Sequence, residues 1–68
     1  MMVNKGAILG RHFSDKTCQP FEVVLADDTY FVAAPVTRDG KIDPTAVELH
    51  YNCAPHTLSE QDFVLLRD

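Results

Sequence analysis

Tryptophan is absent from this chain, glycine occurs three times and cysteine twice. No apolar run approaches the about 18 residues that a membrane-crossing helix needs. The opening stretch, MMVNKGAILG, has one lysine and a very short apolar segment, which is not the pattern of a secretory signal. Those absences set the expectation of a cytoplasmic protein with no membrane partner. In that compartment Cys18 and Cys53 are expected as thiols rather than a disulfide. The chain also lacks a basic cluster. Its cations (Lys5, Arg11, Lys16, Arg38, Lys41 and Arg67) are scattered, and the net charge is −4. Nucleic-acid binding draws on concentrated positive charge, so this balance speaks against a nucleic-acid partner. Repeats, low-complexity tracts, linkers and any long stretch of helical periodicity are missing too.

What remains is the composition of a folded domain, 46% apolar and 24% charged. Sixty-eight residues make a single small domain. A domain of this size buries only about 60% of the surface its unfolded chain exposes. It has room for one core but not for a core and a deep cavity, and support from a second copy or a partner protein is a natural expectation.

The most informative stretch is PFEVVLADDTYFVAAPV, residues 20–36. It reads as two strands joined at Asp27-Asp28. With a two-residue turn, Ala26 pairs with Thr29, Leu25 with Tyr30, Val24 with Phe31 and Val23 with Val32. Side chains alternate across a strand. One face then carries Phe21, Val23, Leu25, Tyr30, Val32 and Ala34 and is expected to be core. The other carries Glu22, Val24, Ala26, Thr29, Phe31 and Ala33 and is expected to be half covered. Asp-Asp is a weaker hairpin signal than Asn-Gly, so the pattern also allows a turn longer by a residue or two.

Upstream, KGAILGRHF (residues 5–13) places Ala7, Leu9, Arg11 and Phe13 on one face, with Gly6 and Gly10 marking a bulge or a close backbone approach. The polar SDKTCQP (14–20) reads as a loop. Pro35 suits an edge strand or a bend. Asp39-Gly40 is a turn signal, because both residues accept positive φ at low cost. AVELHYNC (46–53) has the cleanest alternation in the chain. Val47, Leu49, Tyr51 and Cys53 share one face and Ala46, Glu48, His50 and Asn52 the other, which predicts a strand with one buried face. After a break at APHT come one helical turn at 59–62, with near capping-box spacing, and a last strand at 63–67. The reading is mainly β: a small five-stranded antiparallel SH3-like barrel with a short helical turn before the last strand. An OB-like barrel or an open curled sheet is the runner-up.

The tail SEQDFVLL resembles the end of an SH3 domain in plan, with its one-turn helix before the final strand. The acidic first loop and aromatic motif that grip proline-rich peptides are not found, so no polyproline groove is expected. The order KGAIL, QPFEVVL, YFVAAPVT is similar to the start of the PemK/MazF-like ribonuclease toxins, also built on an SH3-like barrel. Pro20 and Thr37 match that family's pattern, while Gln19 stands where its arginine would be. The resemblance covers about half the chain. It implies a degenerate ribonuclease or RNA-binding barrel using Thr37 with Arg11 or Arg38, and the missing arginine counts against RNA cleavage.

Imidazole and thiolate are ligands that zinc favours, and His50, Cys53, His56 and Cys18 are the candidates for a metal-stabilised module. Their spacing matches no common zinc motif, and on a strand His50 and Cys53 point to opposite faces, so no metal or other cofactor is favoured. No glycine-rich elbow accompanies the cysteines and histidines, and the carboxylates at 27–28 lie in an exposed turn, so no catalytic residue is named. The function expected is that of a small acidic, non-enzymatic regulatory or accessory module that binds another protein or itself. Its partner-facing residues are expected to be Val24 and Phe31 with the loop at 14–19, and Asp27, Asp28 and Asp39 are expected to tune specificity.

Overall fold

In a computed structural model, residues 3–12, 17–52 and 57–68 are described. The chain is mainly β. Strands β1 (Ile8–His12), β2 (Cys18–Ala26), β3 (Tyr30–Pro35), β4 (Glu48–Tyr51) and β5 (Phe63–Arg67) form one antiparallel sheet, with a single short helix, α1 (Thr57–Glu60), before β5. The strand order is β4-β3-β2-β1-β5. Neighbours in sequence are thus neighbours in the sheet up to β4, and β5 returns to the free side of β1. The expected helical turn and last strand are present. The helix begins at Thr57, two residues early, and ends where Asp62 takes a left-handed φ of 61°. Aspartate tolerates that conformation better than most residues do.

The sheet is strongly curled. Strands sit about 4.8 Å apart, so a flat sheet would hold its two edges, β4 and β5, about 19 Å from each other. Yet the rings of His50 on β4 and Phe63 on β5 lie 5.6 Å apart, edge to face. The concave side encloses the core: Val3, Ala7, Leu9, Phe21, Val23, Phe31, Ala33, Leu58 and Phe63. As expected, Ala7 and Leu9 face inward, although the first strand begins at Ile8 rather than Lys5, and Phe13 lies outside the described residues. Gly10 marks a close approach, since a Cβ there would stand 2.7 Å from Cys18 Sγ and 3.0 Å from a Leu66 methyl.

The central hairpin departs from the expected register. Ala26 pairs with Phe31 and Leu25 with Val32 around a four-residue loop. The register then slips at Val24, so that Val23 pairs with Ala33 and Phe21 with Pro35. A bulge gives the strand one extra residue and re-aims the side chains beyond it. Phe21 and Val23 therefore face the core as expected, but Leu25 turns outward. On β3 the inward residues are Phe31 and Ala33, not Tyr30 and Val32.

Other strand ends move as well. Residues 18–20, expected within a loop, already belong to β2. The strand expected over 46–53 is shorter, at Glu48–Tyr51, and its faces are reversed: Glu48 and His50 point inward while Leu49 and Tyr51 are exposed. Between β3 and β4, Val36 bridges to Ile42 around a tight turn in which Gly40 takes φ 81°.

Candidate functional site

The convex side of β2, β3 and β4 carries an apolar patch, most of it exposed. Leu25, Val32 and Leu49 form a row across the three strands, Val32 being the register partner of both leucines. One step along, Tyr30 pairs with Tyr51, and their rings stack at 5.2 Å with 27° between planes. Leu25 is 63% exposed, Leu49 64% and Tyr51 59%, and Val47 beside them is also exposed. This face exists because of two local facts. The bulge at Val24 rotates Leu25 out of the core, and β4 commits Glu48 and His50 inward, which leaves Leu49 and Tyr51 in solvent.

The loop bordering the tyrosine pair is tied down by hydrogen bonds. Asp27 Oδ1 accepts hydrogen bonds from the main-chain N–H groups of Thr29 (2.8 Å) and Tyr30 (2.7 Å). The main chain of Asp27 donates to Tyr30 O, and that of Asn52 to Thr29 O. The Asn52 side-chain amide donates to Asp27 O at 2.9 Å. Two N–H donors on one carboxylate favour its charged form and hold the Asp27 carboxyl below the usual range. Asp28 stands exposed beside it.

On the concave side, Arg11 reaches Glu48 with a two-pronged ion pair, Nη1 to Oε2 at 2.7 Å and Nη2 to Oε1 at 2.6 Å. Its Nε donates to Gln61 O at 3.3 Å. The guanidinium carbon lies 4.3 Å from the Phe63 ring centre and 4.9 Å from that of Phe21. His50 Nε2 is 2.8 Å from Glu48 Oε1, and its ring packs between Phe31 and Phe63. The Arg11 hydrogen bonds come first among the causes that hold the Glu48 carboxyl at about 2, against burial, which opposes ionisation. A base works best with a pKa near the operating pH. Glu48 is far from that condition, and each of the three Arg11 nitrogens donates a hydrogen bond. The cluster therefore acts as a strut between β1 and β4 rather than as an acid–base pair.

The residues singled out from sequence are dispersed. Phe31 is 1% exposed and is core, so it cannot face a partner in this fold. The slip at Val24 is the reason: it moves Phe31 and Ala33 to the inner face. Val24 itself is half-buried at the bulge. Asp27 and Asp28 are exposed at the edge of the apolar face, whereas Asp39 lies in the separate turn between β3 and β4, bonded to the Thr37 hydroxyl. Part of the expected partner loop, residues 14–16, lies outside the described residues.

Of the metal candidates, Cys53 and His56 also lie outside the described residues. His50 points into the concave side and Cys18 is an exposed free thiol across from His12 on the other face. Among the described residues no group of three or more His, Cys, Asp or Glu could hold a metal ion. Thr37, the ribonuclease candidate, spends its hydroxyl within its own turn, on Asp39 and Lys41 O. Sequence reasoning missed Leu25, Leu49 and Tyr51 as surface and Asn52 as core. The alternation of 46–53 carried the signal for the β4 residues, with the wrong face assigned inward.

Comparison with protein-family models, with curated proteins and with solved structures gives no match for this chain. Among the described residues, no helix is long and apolar enough to cross a membrane.

Proposed function

We propose that this chain is a non-enzymatic protein-binding module, an SH3-like barrel whose working surface is the convex side of β2, β3 and β4. The observation that carries the reading is the row of Leu25, Val32 and Leu49, continuous with the Tyr30–Tyr51 stack. Single exposed apolar residues are ordinary on a protein surface. A contiguous patch is not, and it marks an interaction surface. The stacked tyrosines suit that role, since they offer large contact area with little side-chain freedom to lose. The closing of the curl by His50 on Phe63 and by Arg11 on Glu48 is what supports a barrel. Those same contacts use the concave side for structure and leave the convex side for binding.

The test is a parallel capture from host lysate with tagged wild type and with a Leu25→Ser, Leu49→Ser variant. Both substitutions are at exposed sites, so the variant is expected to fold. A protein recovered in fixed stoichiometry by wild type and lost with the variant supports the reading. Recovery of the same proteins by both, with both chains monomeric in sedimentation, contradicts it.

A further inference from the structure

We propose that the occupant of this face is a cationic amphipathic segment of another protein, an apolar stretch flanked at both ends by lysine or arginine. The proposal rests on the docking reading above and specifies its partner. Carboxylates stand at both ends of the apolar rows. Asp27 and Asp28 lie at the tyrosine end, where the loop is fixed by the hydrogen bonds of Thr29, Tyr30 and Asn52. Glu22 stands at the other end. It is the register partner of Ala34 and lies on the convex side, since Phe21 and Val23 to either side of it face the core.

Among the described residues none of these three carboxylates has an ion-pair partner. Arg67 lies on the Glu22 row two strands away, beyond Ile8, and does not pair with it. Formal negative charge thus stands at both ends of the rows, and the residues between them, Leu25, Val32, Leu49, Tyr30 and Tyr51, carry none. Along β3, from Ala34 opposite Glu22 to Tyr30 beside Asp27, four steps of strand span about 13 Å at the usual rise, since the bulge at Val24 takes up one residue of β2. A helix covers that span in about nine residues, so a short segment is long enough to place cations over both ends. A fixed loop is useful here, because a pre-positioned charge loses little freedom when its partner arrives.

A second copy of this chain is a poorer occupant. Each chain carries −4, and two such faces packed together bring carboxylate against carboxylate. Like charges set against one another at an interface disfavour it.

The experiment is a selection from a phage-displayed library of random peptides, about 16 residues long to cover the span. Immobilised wild-type chain is the bait, with counter-selection on the Leu25→Ser, Leu49→Ser variant. The retained peptides are expected to carry net positive charge around an apolar centre. One of them, synthesised, is expected to bind Glu22→Gln, Asp28→Asn chain about tenfold more weakly than wild type at low salt, with the gap closing at high salt. Circular dichroism and melting of each variant check that it is folded. Peptides that are neutral or acidic, or that ignore the carboxylate substitutions, overturn the cationic partner and leave the docking face standing. If no peptide distinguishes wild type from the leucine variant, both the partner and the docking face fall. Dimerisation of the wild type that buries Leu49 would assign the face to a second copy instead.

Discussion

The Asn52 side chain and the main chain of Val3 bond to each other in both directions. Asn52 Oδ1 accepts from Val3 N at 2.9 Å, and Asn52 Nδ2 donates to Val3 O at 3.0 Å. The amide imitates a strand neighbour and fastens residue 3 to the end of β4. Its remaining N–H goes to Asp27 O, so one side chain holds three segments together. Asn52 and Val3 are each 2% exposed, so water has little access to replace the bonds between them, whereas Asp27 is exposed.

Asn52→Ala therefore leaves the buried N–H and C=O of Val3 without these partners and removes the bond to Asp27 O. An unsatisfied buried polar group costs about 1–3 kcal/mol. The variant is expected to lose about 3 kcal/mol in urea unfolding, a large share of the stability of a domain this small. Asn52→Asp keeps the acceptor for Val3 N but removes both N–H donors, and is expected to be no better. An Asn52→Ala chain as stable as wild type would show that the clamp contributes nothing net.

Phe31→Asp is expected to unfold the domain, since it places a carboxylate in the core where a ring is 1% exposed. Leu49→Ser, on the adjacent strand, is expected to shift the melting temperature by only a few degrees, in line with surface changes of about 0.5 kcal/mol. Circular dichroism melts of the two variants decide the matter. The reverse ranking would mean that the inward faces of β3 and β4 are assigned the wrong way round.

That pair of residues shows where the sequence was legible and where it was not. Alternation revealed the strands, and the last one, residues 63–67, was read in full; other ends were misplaced, as where Pro20, read as closing a loop, lies within β2. Which face of a strand points inward is a different question. On β4 both faces were plausible, and hydrophobicity favoured burying Leu49 and Tyr51. The outcome was set by Arg11, thirty-seven positions from Glu48 and invisible to local pattern. Once Glu48 pairs with Arg11 and His50 fits between Phe31 and Phe63, the leucine and tyrosine have only the outside left. On β2 a single slip at Val24 had the same effect. An apolar run such as VVLA does not announce a bulge, because every residue in it is acceptable on either face.

Gly10 tests the close packing of β1 against β2 and β5. An alanine Cβ would sit 2.7 Å from Cys18 Sγ, closer than atoms normally approach. Gly10→Ala is expected to destabilise by about 1 kcal/mol, the overpacking cost outweighing the entropy alanine returns. Cys18→Ala removes the sulfur, so the double variant is expected to recover most of that loss. A double-mutant cycle in urea reads the coupling directly. Additive effects would show that the thiol simply swings into solvent, which its exposure would permit.

The Arg11–Glu48 strut predicts how the domain responds to acid. Glu48 titrates at about 2 in the folded chain, against 4.5 for an ordinary glutamate. Folding therefore favours the ionised form, and this contribution is complete above pH 4.5, then fades as pH falls toward 2. The urea midpoint of wild type is expected to drop between pH 5 and pH 2.5 by more than that of Glu48→Gln, which has no carboxylate to protonate and starts lower at pH 7. The side chains are 19% and 32% exposed for Arg11 and Glu48, so solvent screens part of the attraction and the energy is smaller than the pKa difference alone would give. Arg11→Met separates two roles of the arginine. Methionine keeps contact with Phe21 and Phe63 but cannot hold Glu48, so the loss at pH 7 should exceed the loss at pH 3. If wild type and Glu48→Gln instead follow parallel curves from pH 7 to pH 2.5, the ion pair does not stabilise the curl, and the packing of His50 on Phe63 must hold β4 against β5 without it.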